Sequence, residues 1–234
     1  MPSPETPRLV VFDFDGTLAD TWRDIATALN QTLGEARLPL VEGPEVRFWI
    51  GDGALKLLQR AVPEAHRSRE RIDELYARFR VHYAACCLET TELYPGIPEC
   101  LEELSSAALA IASNKPACFL EPIVAGLGLK MYFRLVLGGD SLDVRKPDPA
   151  VLEHLVARIQ PEPSALYVVG DSAVDVELGR ARGARTIGCA WGLRGRDELR
   201  RARADTIVEH PREIPRHVLG RAEPRPGDGP GDVG

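Results

Sequence analysis

Residues 10–20 read VVFDFDGTLAD: a β-branched apolar run that ends in two aspartates one residue apart, with Gly16 and Thr17 behind them. The segment from Arg8 to Asp13 is short and apolar enough to form a strand buried on both faces. Two like charges at the tip of such a strand need a reason, and their neighbours must supply it. Similar apolar runs recur at 108–112 (ALAIA), 134–137 (RLVL), 165–169 (ALYVV), 186–188 and 205–208. Helical patterns separate most of them, and the alternation predicts an α/β fold built on a doubly wound parallel sheet.

One interval breaks the rhythm. Between Asp20 and Tyr94 no strand is expected, but three helical faces follow one another. Ile25, Ala28, Leu29, Thr32 and Leu33 share the first; Ala54, Leu57, Leu58, Ala61 and Val62 the second; Ile72, Leu75, Tyr76, Phe79 and Tyr83 the third. The expected organisation is a catalytic core of residues 8–19 and 95–215 with an all-helical cap, 20–94, inserted into it. Pro95-Gly96 marks the return as a hinge. Residues 1–7 and 221–234 are expected to be disordered, the latter being rich in Pro and Gly.

Composition excludes several classes of function. The chain of 234 residues has 44% apolar and 27% charged residues, ordinary values for a globular protein. Its net charge of -6, without a block of Lys or Arg, argues against nucleic acid or an anionic membrane as partner. No run approaches the roughly 18 apolar residues of a membrane span. The five cysteines, an odd number with no CxxC pair, suit a reducing cytoplasm. The histidines show no spacing of metal ligands.

Chemistry gathers after the strands. The first is followed by Asp13-Phe14-Asp15-Gly16-Thr17, the second by Ser113-Asn114-Lys115-Pro116, and the fourth by Gly170-Asp171-Ser172 with Asp175 one turn on. Between them lies Arg145-Lys146-Pro147-Asp148-Pro149, where Asp148 can cap a helix. In an open parallel sheet the ligand crevice lies beyond the carboxyl ends of the strands, so these clusters should converge. Several carboxylates and one ammonium would then share a site with hydroxyl, amide and backbone donors. A hard divalent cation such as Mg²⁺ would balance that charge and bridge to a phosphate.

These motifs in this order (DFDGT, SN, the Lys of RKPDP, and GDSAVD) resemble those of the haloacid dehalogenase superfamily, in particular its phosphatases with a helical cap; the resemblance covers roughly residues 8–210. It implies that Asp13 is the nucleophile that becomes an aspartyl-phosphate and that Asp15 is the general acid and base. It further implies that Asp13, the backbone carbonyl of Asp15 and Asp171 hold Mg²⁺, with Asp175 behind them. Lys146 would neutralise Asp13 and the phosphoryl oxygens. Ser113, Asn114 and the backbone amides around Gly16 and Thr17 would bind the transferring group.

Within the family, an acid at position 15 argues for phosphate esters over C–halogen or C–P bonds. The cap loop Trp49-Ile50-Gly51-Asp52-Gly53, together with Leu137-Gly138-Gly139-Asp140, resembles phosphoglycolate phosphatases. The expected reaction is therefore hydrolysis of a small phosphorylated metabolite, 2-phosphoglycolate first, by a monomer or homodimer. The alternatives are a β-phosphoglucomutase-like phosphosugar mutase and a phosphate-binding regulatory protein without turnover. Each motif also has a structural reading: the aspartates as turn formers, Ser113-Asn114 as a helix cap, Lys146 and Arg145 as solvated loop residues, and Gly51 and Gly53 as a plain turn.

Overall fold

The computed structural model describes residues 7–220. Six strands form one parallel sheet: β1 (Arg8–Phe12), β4 (Ala108–Ala112), β5 (Leu135–Leu137), β6 (Ala165–Gly170), β7 (Arg185–Cys189) and β8 (Thr206–Val208). Their order across the sheet is β5-β4-β1-β6-β7-β8. The chain thus starts in the middle, winds to one edge, returns, and winds to the other, so the direction of winding reverses between β1 and β6.

Side-chain alternation along the strands assigns the two faces. Leu9 and Val11 of β1 join Ala108, Ala110, Val168 and residues of α7 (Ala150–Arg158) and α8 (Ala173–Ala181) in one apolar cluster. Val10 and Phe12 point the other way and join Leu109, Ile111, Tyr167 and Val169. This second cluster runs on without a break into α1 (Trp22–Glu35), α3 (Ala54–Ala61) and α4 (Arg69–Cys86), through Ile25, Leu29, Leu58, Phe79 and Tyr83. Each such side chain, once fully buried, contributes about 1.5–3 kcal/mol of transfer free energy.

The expected helical faces are the buried ones: all five residues named for α1 are buried, as are Ile72, Leu75, Phe79 and Tyr83 of α4. Both passages to and from the helical segment carry something the sequence did not announce. Ala19–Asp20 (β2) and Glu92–Leu93 (β3) pair antiparallel, although no strand was expected between Asp20 and Tyr94. Two residues per strand are too few for alternation to register. Asp24, buried in the first turn of α1, fastens this junction: its carboxylate accepts from the amides and hydroxyls of both Thr90 and Thr91. Pro7 is held by the Ser164 amide, which donates to its carbonyl at 3.1 Å. The remainder of the two terminal segments expected to be disordered, 1–6 and 221–234, lies outside the described residues.

Candidate active site

Three site residues stand immediately beyond strand ends. Asp13 follows β1, Ser113 follows β4 and Asp171 follows β6. β1 lies between the other two, and pairing of Phe12 with Ile111 on one side and Val169 on the other brings Asp13 between them. The Asp13 amide donates to the Val169 carbonyl at 2.8 Å, which extends the ladder by one residue and fixes the carboxylate. The strand therefore ends in charge because its tip faces a crevice, not the core.

Lys146 reaches into this crevice from the loop after β5. Its ammonium lies 2.8 Å from Asp13 Oδ1 and 2.7 Å from Asp175 Oδ1. The other Asp175 oxygen accepts from the amide and hydroxyl of Ser172, at 3.2 and 2.7 Å, where α8 begins. Asp171 Oδ2 accepts from the Leu193 amide at 2.6 Å. One oxygen from each of Asp13, Asp171 and Asp175 falls within 4.8 Å of the others.

Three buried carboxylates against one ammonium leave an excess of negative charge, and the titration of the group reflects it. Burial pushes the Asp13 carboxyl up to about 7; Lys146 opposes the rise and the Asp175 and Asp15 charges add to it. Asp171 is driven well above the carboxylate range, first by burial and then by Asp13 and Asp175. Burial alone would lower the Lys146 pKa, but the two aspartates more than offset it and hold the ammonium charged. A compact set of hard oxygens with more charge than its partner ammonium can neutralise is a set that fits a divalent cation.

Asp15 faces a different environment. Its Oδ1 accepts from Thr21 Oγ1 at 2.6 Å and from the Lys115 ammonium at 2.8 Å. Thr21 stands at the N-cap of α1 and makes no side-chain cap; its hydroxyl donates to Asp15. The Asp15 carboxylate is thus engaged by two donors and stands apart from the group of Asp13, Asp171 and Asp175. Lys115 is a second ammonium where one was expected. It lies 4.6 Å from the centroid of the Tyr83 ring, which in turn stacks on Phe79 and meets Phe119 edge-on. Its place directly behind Ser113-Asn114, between a strand end and a proline, was the available signal.

The phosphate-binding expectations are modified. Gly16 has a φ of 83°, and a Cβ there would lie 2.4 Å from Asp171 Oδ2, so glycine is required by conformation and by space. The Gly16 amide, however, donates to the Ala19 carbonyl at 2.9 Å and the Thr17 amide to Phe14 at 3.2 Å. Both amides are committed inside the turn and not held open for a phosphoryl oxygen. The Thr17 hydroxyl is buried with no partner among the described residues. Asn114 acts as a brace: its Nδ2 donates to the carbonyls of Gly51 at 3.0 Å and Lys146 at 3.2 Å. Ser113 is buried beside them, its Oγ accepting from the Lys115 amide.

The loop 49–53 does reach the site. Gly53, with φ of 90°, passes so near Asn114 that a Cβ would lie 3.3 Å from its carbonyl oxygen and 3.5 Å from Arg145. Asp52 of this loop pairs with Arg60 and, at 3.4 Å, with Arg194 from the segment after β7. That segment, which also supplies Leu193 to Asp171 and Trp191 to the Thr17 carbonyl, carried no recognisable pattern. Gly138 and Gly139 let their loop lie against Asn114 and Ala117, and Asp140 caps α6 (Ala117–Gly126) by accepting from the Ala117 amide. Asp148 similarly accepts from Ala150 at the start of α7.

A family model for haloacid dehalogenase-like hydrolases matches residues 10–189. The chain belongs to this family. Among curated relatives of this haloacid dehalogenase-like protein, the phosphoglycolate phosphatase of Pectobacterium atrosepticum is 32% identical over 206 residues, spanning 86% of this chain and 88% of the relative. That of Haemophilus influenzae is 32% identical over 210 residues, spanning 86% and 94%. A crystal structure from Haemophilus somnus, described as a predicted phosphoglycolate phosphatase, superimposes with a TM-score of 0.83 at 29% identity, covering 92% of this chain and 98% of the other.

Proposed function

We propose that this chain is a Mg²⁺-dependent phosphatase that hydrolyses a small phosphate monoester, 2-phosphoglycolate first, through a phosphorylated Asp13. The observation that carries the reading is the placement of two aspartates two residues apart in two unlike settings, Asp13 on Lys146 in the acidic group and Asp15 on Thr21 and Lys115. Two carboxylates kept in different environments can take different roles.

Asp13 attacks phosphorus while Asp15 gives a proton to the departing oxygen, so the P–O bond breaks without releasing an alkoxide. Asp15 then takes a proton from the water that attacks phosphorus, and phosphate leaves with Asp13 restored. Lys146 holds Asp13 in place and offsets phosphoryl charge, and Asp175 holds Lys146. Asp13, Asp171 and the Asp15 carbonyl would hold Mg²⁺, which when bound supplies positive charge against the phosphoryl oxygens. Ser113, which lines the same cavity as Asp13, would donate its hydroxyl to them. The four helices from Trp22 to Cys86 serve as the cap, residues 20–94, over a core of 8–19 and 95–215.

The cavity beside Asp13 and Asp15 supports a small substrate. It measures about 40 Å³, room for about three waters. A small enclosed space beside both aspartates is in keeping with a small substrate. All five cysteines are free thiols, in keeping with our placement of the protein in a reducing cytoplasm. No helix among the described residues is long and apolar enough to cross a membrane.

The test is phosphate release from a panel of phosphate esters at millimolar Mg²⁺, with and without EDTA. Release from 2-phosphoglycolate that EDTA abolishes is expected. Isomerised hexose phosphate without free phosphate would overturn the reading in favour of a mutase, and no turnover of any ester in favour of a binding protein.

A further inference from the structure

The cavity next to Asp13 has a lining that is mostly apolar, with Ile25, Ile50, Leu57, Phe79 and Phe119 among its walls. Asp13 and Asp15 also face it, so an anion there needs a positive group to offset them. One lining side chain carries positive charge: Lys115. Lys146 is engaged by Asp13 and Asp175 and does not line this space, and Arg145 is exposed outside it. Tyr83 lines the cavity beside Lys115, and its hydroxyl is buried and without a hydrogen-bond partner among the described residues.

An ammonium has three N–H donors, and Asp15 takes one of them. A buried hydroxyl without a partner is costly unless a ligand completes it. We infer that Lys115 and Tyr83 form an anchor for a carboxylate on the leaving group, so that the site selects phosphate esters whose alcohol carries an acid one carbon from the ester oxygen. This rests on the phosphatase reading above and names which residues read the substrate. Lys115 also spans the two parts of the site: its ammonium touches Asp15, and the ring beneath it belongs to α4. A carboxylate bound here would thus lie beside the general acid, with its ester oxygen toward Asp15.

Ethyl phosphate is the discriminating probe, because it replaces the carboxylate of 2-phosphoglycolate by a methyl group and changes little else. The wild-type chain is expected to favour 2-phosphoglycolate in kcat/KM. In Lys115→Met that preference should fall about 10- to 100-fold, the range for loss of a charge-assisted hydrogen bond. Loss of both activities by the same factor would show that Lys115 merely positions Asp15 and would overturn the anchor. So would a ratio left unchanged. Tyr83→Phe keeps the aromatic packing and removes only the hydroxyl, so it tests the same idea if Lys115→Met fails to fold. It should lower the ratio several-fold, and an unaltered ratio in this variant would contradict the inference. A wild-type enzyme that hydrolyses both esters equally would overturn the anchor but leave the phosphatase reading standing, whereas one that hydrolyses no phosphate ester would remove both.

Discussion

Asp13 and Asp15 differ by what surrounds them, not by what they are. Asp13 shares Lys146 with Asp175 and sits near Asp171, while Asp15 has Thr21 and Lys115. Replacing Asp13 by Asn keeps the shape but removes one of three crowded negative charges. Phosphate release should disappear, and the metal-free protein at pH 8 should melt about 2–4 °C higher, the shift for roughly 1 kcal/mol in a chain of this size. Differential scanning fluorimetry beside a phosphate assay checks both; a lower melting temperature would mean that the Lys146 pair outweighs the repulsion. At this scale the sequence displayed Asp13, Lys146, Asp171 and Asp175, because Asp13 and Asp171 stand in motifs at strand ends, Lys146 in RKPDP and Asp175 one turn beyond Asp171. It did not display Lys115, Thr21 or Tyr83 as parts of the site. A lysine before a proline, a threonine at a helix start and a tyrosine on a buried helical face all have ordinary structural readings, and only the folded geometry sets them against Asp15.

The elements show the same division. Alternation of apolar runs with helical patterns was enough to give the parallel sheet, since four of its six strands run five or six residues and carry a clear signal. The passage between sheet and helices was not legible. It depends on two strands of two residues and on Asp24, whose partners Thr90 and Thr91 are more than sixty positions away. Asp24→Ala would strand two backbone amides and two hydroxyls that the carboxylate now satisfies. A loss of about 2–4 kcal/mol is expected, given about 1–3 kcal/mol for each orphaned buried donor and partial rehydration of the rest. Urea denaturation measures it. A change below half a kilocalorie would mean that water replaces the carboxylate freely. The segment 191–194 was likewise silent, because no motif marks it: the Leu193 amide serves Asp171 and a Cβ at Gly192 would lie 2.2 Å from the Asp171 side chain, while Trp191 and Arg194 contribute side chains whose partners, Thr17 and Asp52, are distant in sequence.

For the whole molecule, the acidic group makes stability depend on pH in an unusual direction. Burial raises Asp13 to about 7 from an unfolded value near 3.8, and Asp171 is raised also. Between those two values the folded state binds a proton that the unfolded chain has released, so stability falls as pH rises. The slope is about 1.4 kcal/mol per pH unit for each such group. Metal-free protein should therefore lose stability from pH 5 to pH 7, and Mg²⁺, by taking the place of the proton, should raise the melting temperature most at the upper end. Thermal scans at three pH values with and without Mg²⁺ test this, and an equal Mg²⁺ effect at all three would count against cation binding by these carboxylates. The claim beneath all of this is that Asp13 carries the phosphoryl group while Asp15 handles protons. Asp15→Asn with acetyl phosphate separates the two, since acetate leaves without help from an acid but the later attack of water still needs a base. Acid quenching, borohydride reduction and mass spectrometry of the peptide holding residue 13 should then find homoserine in place of Asp13. An unmodified Asp13, in an enzyme whose wild type releases phosphate from the same compound, would contradict the account.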